Sequence, residues 1–355
     1  MITPSPRVLL HQIAYSPATL AALEPGYTAV DNLANPRPDW YEYWPIRQIL
    51  LSLPLDEMAF YGFFSAKFGR KTGLTHGQTC AVVLQAAAKG CDVVLFSPQS
   101  NMGAFFLNVF EQNETFDPGF IAASEDFLKH IGRPAPLRYL VMDERQIVHC
   151  NYFVARPAFW RDWLSLNEAL FSVCEGPATP QQRALKQATG YPGAARRQAF
   201  LQERTASLLL TVQPQSRSHA ANPFTMAWST LRLREHPTDE VMSDALKIAF
   251  REHGYPHYMR AFSTLRQRFA AGRSGTKNLT WARACSRSTA SISNTGRTAG
   301  AICKPTAGPM TVDSGAVLHW PAVADGDYGA LGCAKSQPAT DCQSRKHPTV
   351  DLVLH

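Results

Sequence analysis

Short apolar runs alternate with longer helical stretches along residues 7–212, and this alternation limits the chain to a few folds. Four runs have the length of buried strands, at residues 7–14, 58–64, 92–96 and 147–154. Apolar side chains recur at helical spacing over residues 40–53, 75–89, 101–112, 120–131, 157–174 and 195–212. Strands that alternate with helices form mostly parallel sheets covered by helices on both faces. We therefore predict an α/β fold with a mostly parallel sheet flanked by helices.

The composition changes abruptly after residue 272. Residues 273–355 contain no Phe and no Glu, and their aromatic residues are limited to Trp281, Trp320 and Tyr328. A segment with so little apolar surface cannot offset the entropy lost when it becomes ordered. We predict that residues 1–272 form the domain, with a helical C-terminal part at 236–272, and that residues 273–355 form a disordered, low-complexity tail.

The formal net charge of +7 is spread along the sequence rather than concentrated in one run. Without a basic stripe, nucleic acid is not an expected partner. The balance suits an anionic small ligand such as a nucleotide diphosphate, and it leaves contact with an anionic membrane surface open. No apolar run approaches the roughly 18 residues that cross a bilayer, and residues 1–16 lack the apolar core of a signal peptide. We expect a cytoplasmic protein without a transmembrane segment.

Several common catalytic and metal-binding patterns are missing from the sequence. None of the eight cysteines forms a C-x-x-C pair, so neither a zinc site nor a dithiol site has local support. There is no Walker loop, G-x-G-x-x-G, G-x-S-x-G or H-E-x-x-H. These gaps argue against serine hydrolases and zinc proteases.

Polar side chains gather where the predicted strands end, which is where ligands bind in open α/β sheets. The candidate substrate-binding residues in these clusters are Asp31, Asn32, Tyr61, Ser65, Lys67, Arg70, Ser97 and Asn151. Each has a structural alternative: Asp31 and Asn32 as turn caps, the basic residues as a solvated loop, and Asn151 as the partner of a buried backbone group. Their occurrence at successive strand ends favours a binding site.

Glu203 and Arg204 are neighbours on a predicted helix with mostly apolar surroundings. Adjacent side chains on a helix point about 100° apart, so we predict that these two do not pair with each other. At least one of them would then face an apolar surface and need a partner there. A structural ion pair elsewhere in the fold is the alternative interpretation.

Three segments resemble successive blocks of bacterial capsule and exopolysaccharide glycosyltransferases: YGFFSAKFGRK at 61–71, CNYFVARPAFWRDW at 150–163 and FLQERTASLL at 200–209. Their order and approximate spacing agree over residues 7–212. The resemblance implies a nucleotide-diphospho-sugar transferase fold of the GT-A type. It also implies transfer of a sugar from a nucleotide-diphosphate donor to a hydroxyl group of a glycan or lipid-linked acceptor. In that reaction Glu203 is the candidate catalytic base, and Arg204 joins the strand-end residues in binding substrate.

The sequence departs from this family in one respect. GT-A enzymes usually hold Mn²⁺ or Mg²⁺ with an Asp-x-Asp triplet, whereas the triplet here is Asp325-Gly326-Asp327, inside the predicted tail. We therefore predict no metal ligands and leave the use of a divalent ion open, since Lys67, Arg70 or Arg204 would serve to neutralise the diphosphate. Two alternatives also stay open: a non-catalytic nucleotide- or carbohydrate-binding domain of the same fold, and an interaction protein with an exposed aromatic segment at residues 40–44.

Overall fold

The computed structural model describes residues 5–98, 103, 105–191, 195–213, 215–232 and 237–272. Within these ranges the strands are β1 (Val8–Ala14), β2 (Thr28–Asp31), β3 (Phe60–Ser65), β4 (Val93–Leu95), β5 (Phe153–Ala155) and β6 (Ser218–Ala220). They form one six-stranded sheet in the order β2-β1-β3-β5-β4-β6. β1 is parallel to β2 and β3, and β4 is parallel to β6, whereas β5 is antiparallel to both of its neighbours. The prediction of a mostly parallel α/β fold is confirmed.

Helices of very different length connect and cover these strands. They are α1 (Pro17–Ala21), α2 (Tyr43–Ser52), α3 (Phe68–Thr72), α4 (His76–Ala88), α5 (Val109–Glu114), α6 (Phe120–His130), α7 (Pro157–Glu175), α8 (Pro180–Leu185), α9 (Arg197–Val212), α10 (Ala227–Arg232), α11 (Pro237–His253) and α12 (Pro256–Gly272). Short 3₁₀ turns occur at Pro38–Trp40, Leu137–Tyr139 and Pro223–Thr225. Among the described helices, none is both long enough and apolar enough to cross a membrane. The helical part expected at 236–272 corresponds to α11 and α12, while the tail expected at 273–355 lies outside the described residues.

β3 is buried along its whole length because helices cover both faces of the sheet. On one face Phe63 packs edge-on against Trp160 of α7, with a centroid distance of 5.0 Å. On the other face Phe64 stacks on Phe68 of α3, at 3.9 Å. The continuous apolar sequence of β3 is therefore the pattern of a central strand.

Most of the aromatic segment at residues 40–44 belongs to the core, whereas Tyr41 is exposed. Trp40 and Tyr43 are buried, and both pack against Phe171 of α7, at 5.1 and 6.3 Å between centroids. The Tyr43 hydroxyl donates a 2.5 Å hydrogen bond to Glu168, which also belongs to α7. Of the aromatic segment at residues 40–44 that an interaction protein would expose, Trp40 and Tyr43 are therefore inaccessible, and Tyr41 is the exposed ring.

Two predicted elements are shorter than the sequence pattern suggested. In the run at 147–154 extended pairing begins only at Phe153, because Cys150 and Asn151 have left-handed φ angles of 60° and 54°. In the segment at 101–112 the helix α5 begins at Val109, where the Asn108 side chain caps it by accepting hydrogen bonds from the backbone N–H of Phe110 and Glu111. Residues 101, 102 and 104 of that segment lie outside the described ranges.

β2 and β6 were not predicted from the sequence. Both are very short, and both lie at the edges of the sheet, where one side of the strand is free of backbone pairing within the described residues. Edge strands are only partly buried and therefore lack a continuous apolar run. The residues of β6 are all half-buried, in agreement with this explanation.

The left-handed backbone at Asn151 leads to a stability prediction. Its side-chain amide donates a 3.2 Å hydrogen bond to Gln202, and both residues are buried. Asn151→Ala leaves the Gln202 amide without this partner, which lowers the free energy of unfolding by about 1–3 kcal/mol. It also places alanine, which has a Cβ atom but no local polar group, in the left-handed region, and this lowers the free energy of unfolding by about 1 kcal/mol more. Asn151→Gly loses only the amide contact. Chemical denaturation should therefore show a smaller loss of unfolding free energy for the Gly variant, and equal losses would contradict this account.

Candidate functional site

The strand order creates a crevice at the carboxyl ends of β1 and β3. β2, the next strand along the chain, pairs with one side of β1, and β3, the strand after that, pairs with the other side of β1. Ligands in open α/β sheets bind at such switch points. A cavity of about 240 Å³ opens there.

Three parts of the chain line this cavity. Tyr15, Ser65 and Lys67 lie at or just beyond the ends of β1 and β3. Tyr41 and Glu42 come from the turn that leads into α2. The third wall consists of Tyr191 and the α9 residues Phe200, Gln202 and Glu203. Carboxyl groups, an amine, an amide, hydroxyl groups and aromatic rings are thus brought to one cavity.

Glu203 and Arg204 form an ion pair, so the prediction that they do not pair is wrong. Arg204 Nη1 lies 2.7 Å from Glu203 Oε2. The same nitrogen donates a 3.2 Å hydrogen bond to the backbone oxygen of Phe200, one turn earlier in α9. The long Arg204 side chain therefore folds back along its own helix, which overcomes the angular separation of neighbouring positions. Glu203 lines the cavity, and buried Arg204 supports it from behind.

Glu42 is a second carboxyl group of the cavity; it follows Asp31 and Asn32 in the same polar cluster of the sequence but was not among the candidate site residues. Its pKa is raised, first because the group is removed from water and then because the Glu203 carboxylate repels its charge. Lys71 and Lys67 oppose this shift. Two carboxyl groups in one cavity, one of them favouring its protonated form, are the arrangement that separates acid and base roles. The sequence signal was weak, because Glu42 follows the Asp31-Asn32 loop at no distinctive spacing.

Asn151 and Ser65 link the cavity wall to the start of β5. Asn151 contacts Gln202, which lines the cavity, and so it positions a wall residue rather than forming the wall. Ser65 Oγ lies 2.6 Å from the Tyr152 hydroxyl and also accepts a 3.4 Å hydrogen bond from the Lys67 backbone N–H. These contacts hold Ser65 and Gln202 in fixed orientations at the cavity.

Other candidate residues lie elsewhere. Asp31 and Asn32 line a separate open groove of about 830 Å³ between β2 and α2. Tyr61 is a core residue near the start of β3, where its hydroxyl accepts a 2.8 Å hydrogen bond from Asp56 N–H. Arg70 is exposed on α3. Ser97 Oγ donates to the Ile147 carbonyl at 2.5 Å and lines a cavity of about 20 Å³.

Lys71 lies in the interior rather than in a solvated loop. It is 1% exposed, its Nζ donates to Cys150 Sγ at 3.2 Å, and the amine lies 4.3 Å from the centre of the Trp228 ring. Phe68, Lys71 and Thr72 are the buried residues of α3. Their spacing of three and four is the signal by which the sequence could have placed Lys71 on the inner face.

His149 is a buried histidine next to these groups. Its pKa is lowered to about 3, mainly by removal from water and then by the charges of Arg204 and Lys71. Among the described residues its Nε2 has no hydrogen-bond partner. His149 is therefore neutral in the folded protein at ordinary pH.

The described residues contain no group of three or more His, Cys, Asp or Glu side chains that could hold a metal ion.

No protein-family model, curated protein or solved structure matches the chain.

The depressed pKa of His149 predicts a specific loss of stability in acid. Below pH 6.5 the unfolded chain binds a proton that folded His149 accepts only near pH 3. Its contribution to the free energy of unfolding is thus complete above pH 6.5 and falls by about 1.4 kcal/mol per pH unit below it. Between pH 7 and pH 5, the free energy of unfolding of His149→Gln should therefore fall by about 2 kcal/mol less than that of the unmodified chain.

The exposed histidine at position 257 offers the matched control for this measurement. Denaturation curves of His257→Gln should retain the steep pH dependence of the unmodified chain. If His149→Gln retains it as well, His149 is not the neutral buried group described here.

Proposed function

We propose that the protein is a glycosyltransferase with a nucleotide-diphospho-sugar transferase fold. It would move a sugar from a nucleotide-diphosphate donor to a hydroxyl group of a glycan or lipid-linked acceptor in bacterial surface polysaccharide synthesis. The observation that carries the proposal is the cavity at the carboxyl ends of β1 and β3, which combines Glu42, Glu203 and Lys67. The resemblance of segments 61–71, 150–163 and 200–209 to these enzymes supports the same assignment.

The charge balance at the cavity suits a diphosphate. Lys67 lines the cavity, and Lys71 and Arg204 are close enough to influence its carboxyl groups and His149. These three cations outnumber the two carboxyl groups of Glu42 and Glu203, and a diphosphate would balance the excess. In the proposed reaction Lys67 stabilises the negative charge that develops on the leaving diphosphate, which is the largest catalytic effect available to such a site.

The carboxyl groups and aromatic rings suit the two sugar substrates. Glu203 keeps Oε1 available while Oε2 pairs with Arg204, so it is the candidate base for the acceptor hydroxyl. The Glu42 carboxyl group, whose pKa is raised by burial and by Glu203, would hydrogen-bond a sugar hydroxyl. Tyr15 and Tyr41, which are 43% and 41% exposed, offer apolar ring faces beside polar tips for a sugar ring at the mouth of the cavity.

The nucleoside of the donor needs further space. The cavity of about 240 Å³ is below the usual range for a site that encloses a whole ligand of this size. The open groove at Asp31 and Asn32 also reaches the carboxyl end of β2, beside β1. We place the nucleoside there in the proposal, with the sugar in the cavity.

A non-catalytic nucleotide- or carbohydrate-binding domain is the second candidate. The ion pair between Glu203 and Arg204 favours it, because a carboxylate already engaged by a guanidinium is a weaker proton acceptor. This candidate predicts ligand binding without turnover, so an assay of sugar transfer separates it from the first.

Lys67 and Arg70 provide a matched pair of variants for donor binding. Calorimetric titration with a panel of nucleotide-diphosphate sugars, with and without Mn²⁺, identifies the donor that binds. Lys67→Gln should then weaken that donor by about 10- to 100-fold, the equivalent of one charge-assisted hydrogen bond of roughly 1.5–3 kcal/mol. Arg70→Gln removes the same charge from an exposed position three residues away and should leave affinity nearly unchanged. Equal effects of the two variants would speak against the proposed diphosphate position.

Glu203→Gln tests transfer separately from binding. The change preserves shape and removes the charge that compensates buried Arg204, so the melting temperature should fall, whereas the donor affinity of the folded molecule should stay close to that of the unmodified chain. The rate of transfer to a glycan acceptor should fall by about 10²- to 10⁴-fold if Glu203 is the base. A fall in melting temperature with unchanged turnover per folded molecule would instead assign Glu203 a structural role.

A further inference from the structure

A lysine and a cysteine from distant parts of the sequence touch behind the cavity. Lys71 Nζ of α3 lies 3.2 Å from Cys150 Sγ, although 79 positions separate the two residues in the sequence. The lysine is 1% exposed, and its amine also faces the rings of Trp228 and Tyr152, at 4.3 and 5.7 Å. Its nitrogen is therefore directed at the sulfur and shielded from water.

The backbone holds the sulfur in this position. Cys150 has a left-handed φ of 60°, which a residue with a Cβ rarely adopts. The next two residues are anchored, Asn151 through Gln202 and Tyr152 through Ser65. Cys150 itself is half-buried; burial raises the pKa of its thiol, and the charge of Lys71 opposes that shift. Nitrogen and sulfur are thus kept in contact, with the lysine favouring the thiolate.

We propose that Lys71 and Cys150 are a redox-sensitive modification site, at which a hydroperoxide joins the two side chains by a nitrogen–sulfur bond. This step is independent of the proposed glycosyltransferase activity. Nothing in it requires a further cofactor, because the hydroperoxide is the oxidant.

The chemistry has two balanced steps. The Cys150 thiolate attacks one oxygen of hydrogen peroxide, the O–O bond breaks, and sulfur becomes a sulfenic acid while the second oxygen leaves as water with the thiol proton. The Lys71 amine, in its deprotonated form, then attacks the oxidised sulfur, forming the N–S bond and breaking the S–O bond. The departing hydroxyl takes a proton from the amine and leaves as a second water. Sulfur loses two electrons and the peroxide gains them. One external thiol later attacks the sulfur, releases the amine and forms a mixed disulfide, and a second thiol then restores the cysteine and leaves as the disulfide of the two thiols.

Contact with the amine decides which product forms. A sulfenic acid with no nearby nucleophile proceeds to sulfinic acid, whereas one beside a nitrogen or a thiol condenses with it. The amine at 3.2 Å is already in contact with the sulfur. Condensation with Lys71 should therefore outcompete further oxidation of Cys150.

The cross-link would also change the cavity. The Lys71 charge lowers the pKa of Glu42, and a sulfenamide nitrogen carries no such charge. Joining the two side chains would therefore raise the Glu42 pKa further and remove positive charge from the neighbourhood of Lys67. The resulting loss of affinity for a nucleotide diphosphate rests on the proposed function, whereas the cross-link does not.

Peptide mass spectrometry of the full chain tests the proposal. The protein is treated with hydrogen peroxide, free thiols are alkylated, and the denatured chain is digested with trypsin. We expect cleavage after Lys71 to be lost, and a Lys71–Cys150 linked peptide whose mass lies about 2 Da, two hydrogen atoms, below the sum of its parts. Treatment of a second aliquot with a thiol reductant should restore cleavage and the unmodified cysteine.

Three variants control the measurement. Cys150→Ser should abolish the linked peptide, and Lys71→Arg should abolish it while Cys150 proceeds to sulfinic acid. Cys91→Ser should leave the link intact, because half-buried Cys91 precedes β4, whose first residue pairs with Ala155 at the end of β5 that is farther from Cys150. Full cleavage after Lys71 in the oxidised unmodified chain, or equal sulfinic acid formation in the unmodified chain and the Lys71→Arg variant, would overturn the proposal. If a variant at Lys71 fails to fold, the linked peptide in the unmodified chain and in Cys91→Ser still tests the proposal.

Discussion

Two consecutive left-handed residues, Cys150 and Asn151, determine how the chain enters the centre of the sheet. Extended backbone cannot continue through φ angles of 60° and 54°, so the chain turns before β5. β5 then runs antiparallel between β3 and β4. The amino end of β5 therefore lies beside the carboxyl ends of β3 and β4. Asparagine suits such a turn because its short polar side chain tolerates the left-handed region.

This turn connects three other elements to the cavity. Cys150 contacts Lys71 of α3, Asn151 contacts Gln202 of α9, and Tyr152 contacts Ser65 at the end of β3. Each contact joins residues far apart in the sequence, so none can form before the surrounding sheet and helices pack. The polar edge of the sheet is thus assembled by tertiary structure, with one turn of the backbone as its common anchor.

The sequence predicted the long elements well and the site only in part. Period and length located β1, β3, α4 and α7 because tertiary packing reinforces their local patterns. The turn before β5 was missed because an apolar run does not report a change of φ. Of the candidate site residues, Ser65, Lys67 and Glu203 line the cavity at the carboxyl ends of β1 and β3.

Pairing and burial are the features of the site that sequence spacing could not reveal. Side-chain length allowed Arg204 to reach Glu203, although their helical positions diverge. Glu42 acquires its raised pKa only when folding brings it beside Glu203. Both effects depend on three-dimensional distance, which a single sequence does not contain.

The cost of burying a charge explains why Arg204, Glu203 and Glu42 occur together. Removing an ammonium or guanidinium from water costs several kcal/mol, and a partner is needed to recover it. Burial lowers the pKa of Arg204, and the Glu203 carboxylate opposes that effect. Burial and, after it, the Glu203 carboxylate raise the pKa of Glu42, so the ion pair that stabilises Arg204 also acts on a neighbouring carboxyl group. The raised pKa of Glu42 and the position of Glu203 are therefore linked by one requirement, the compensation of a buried arginine at the wall of the cavity.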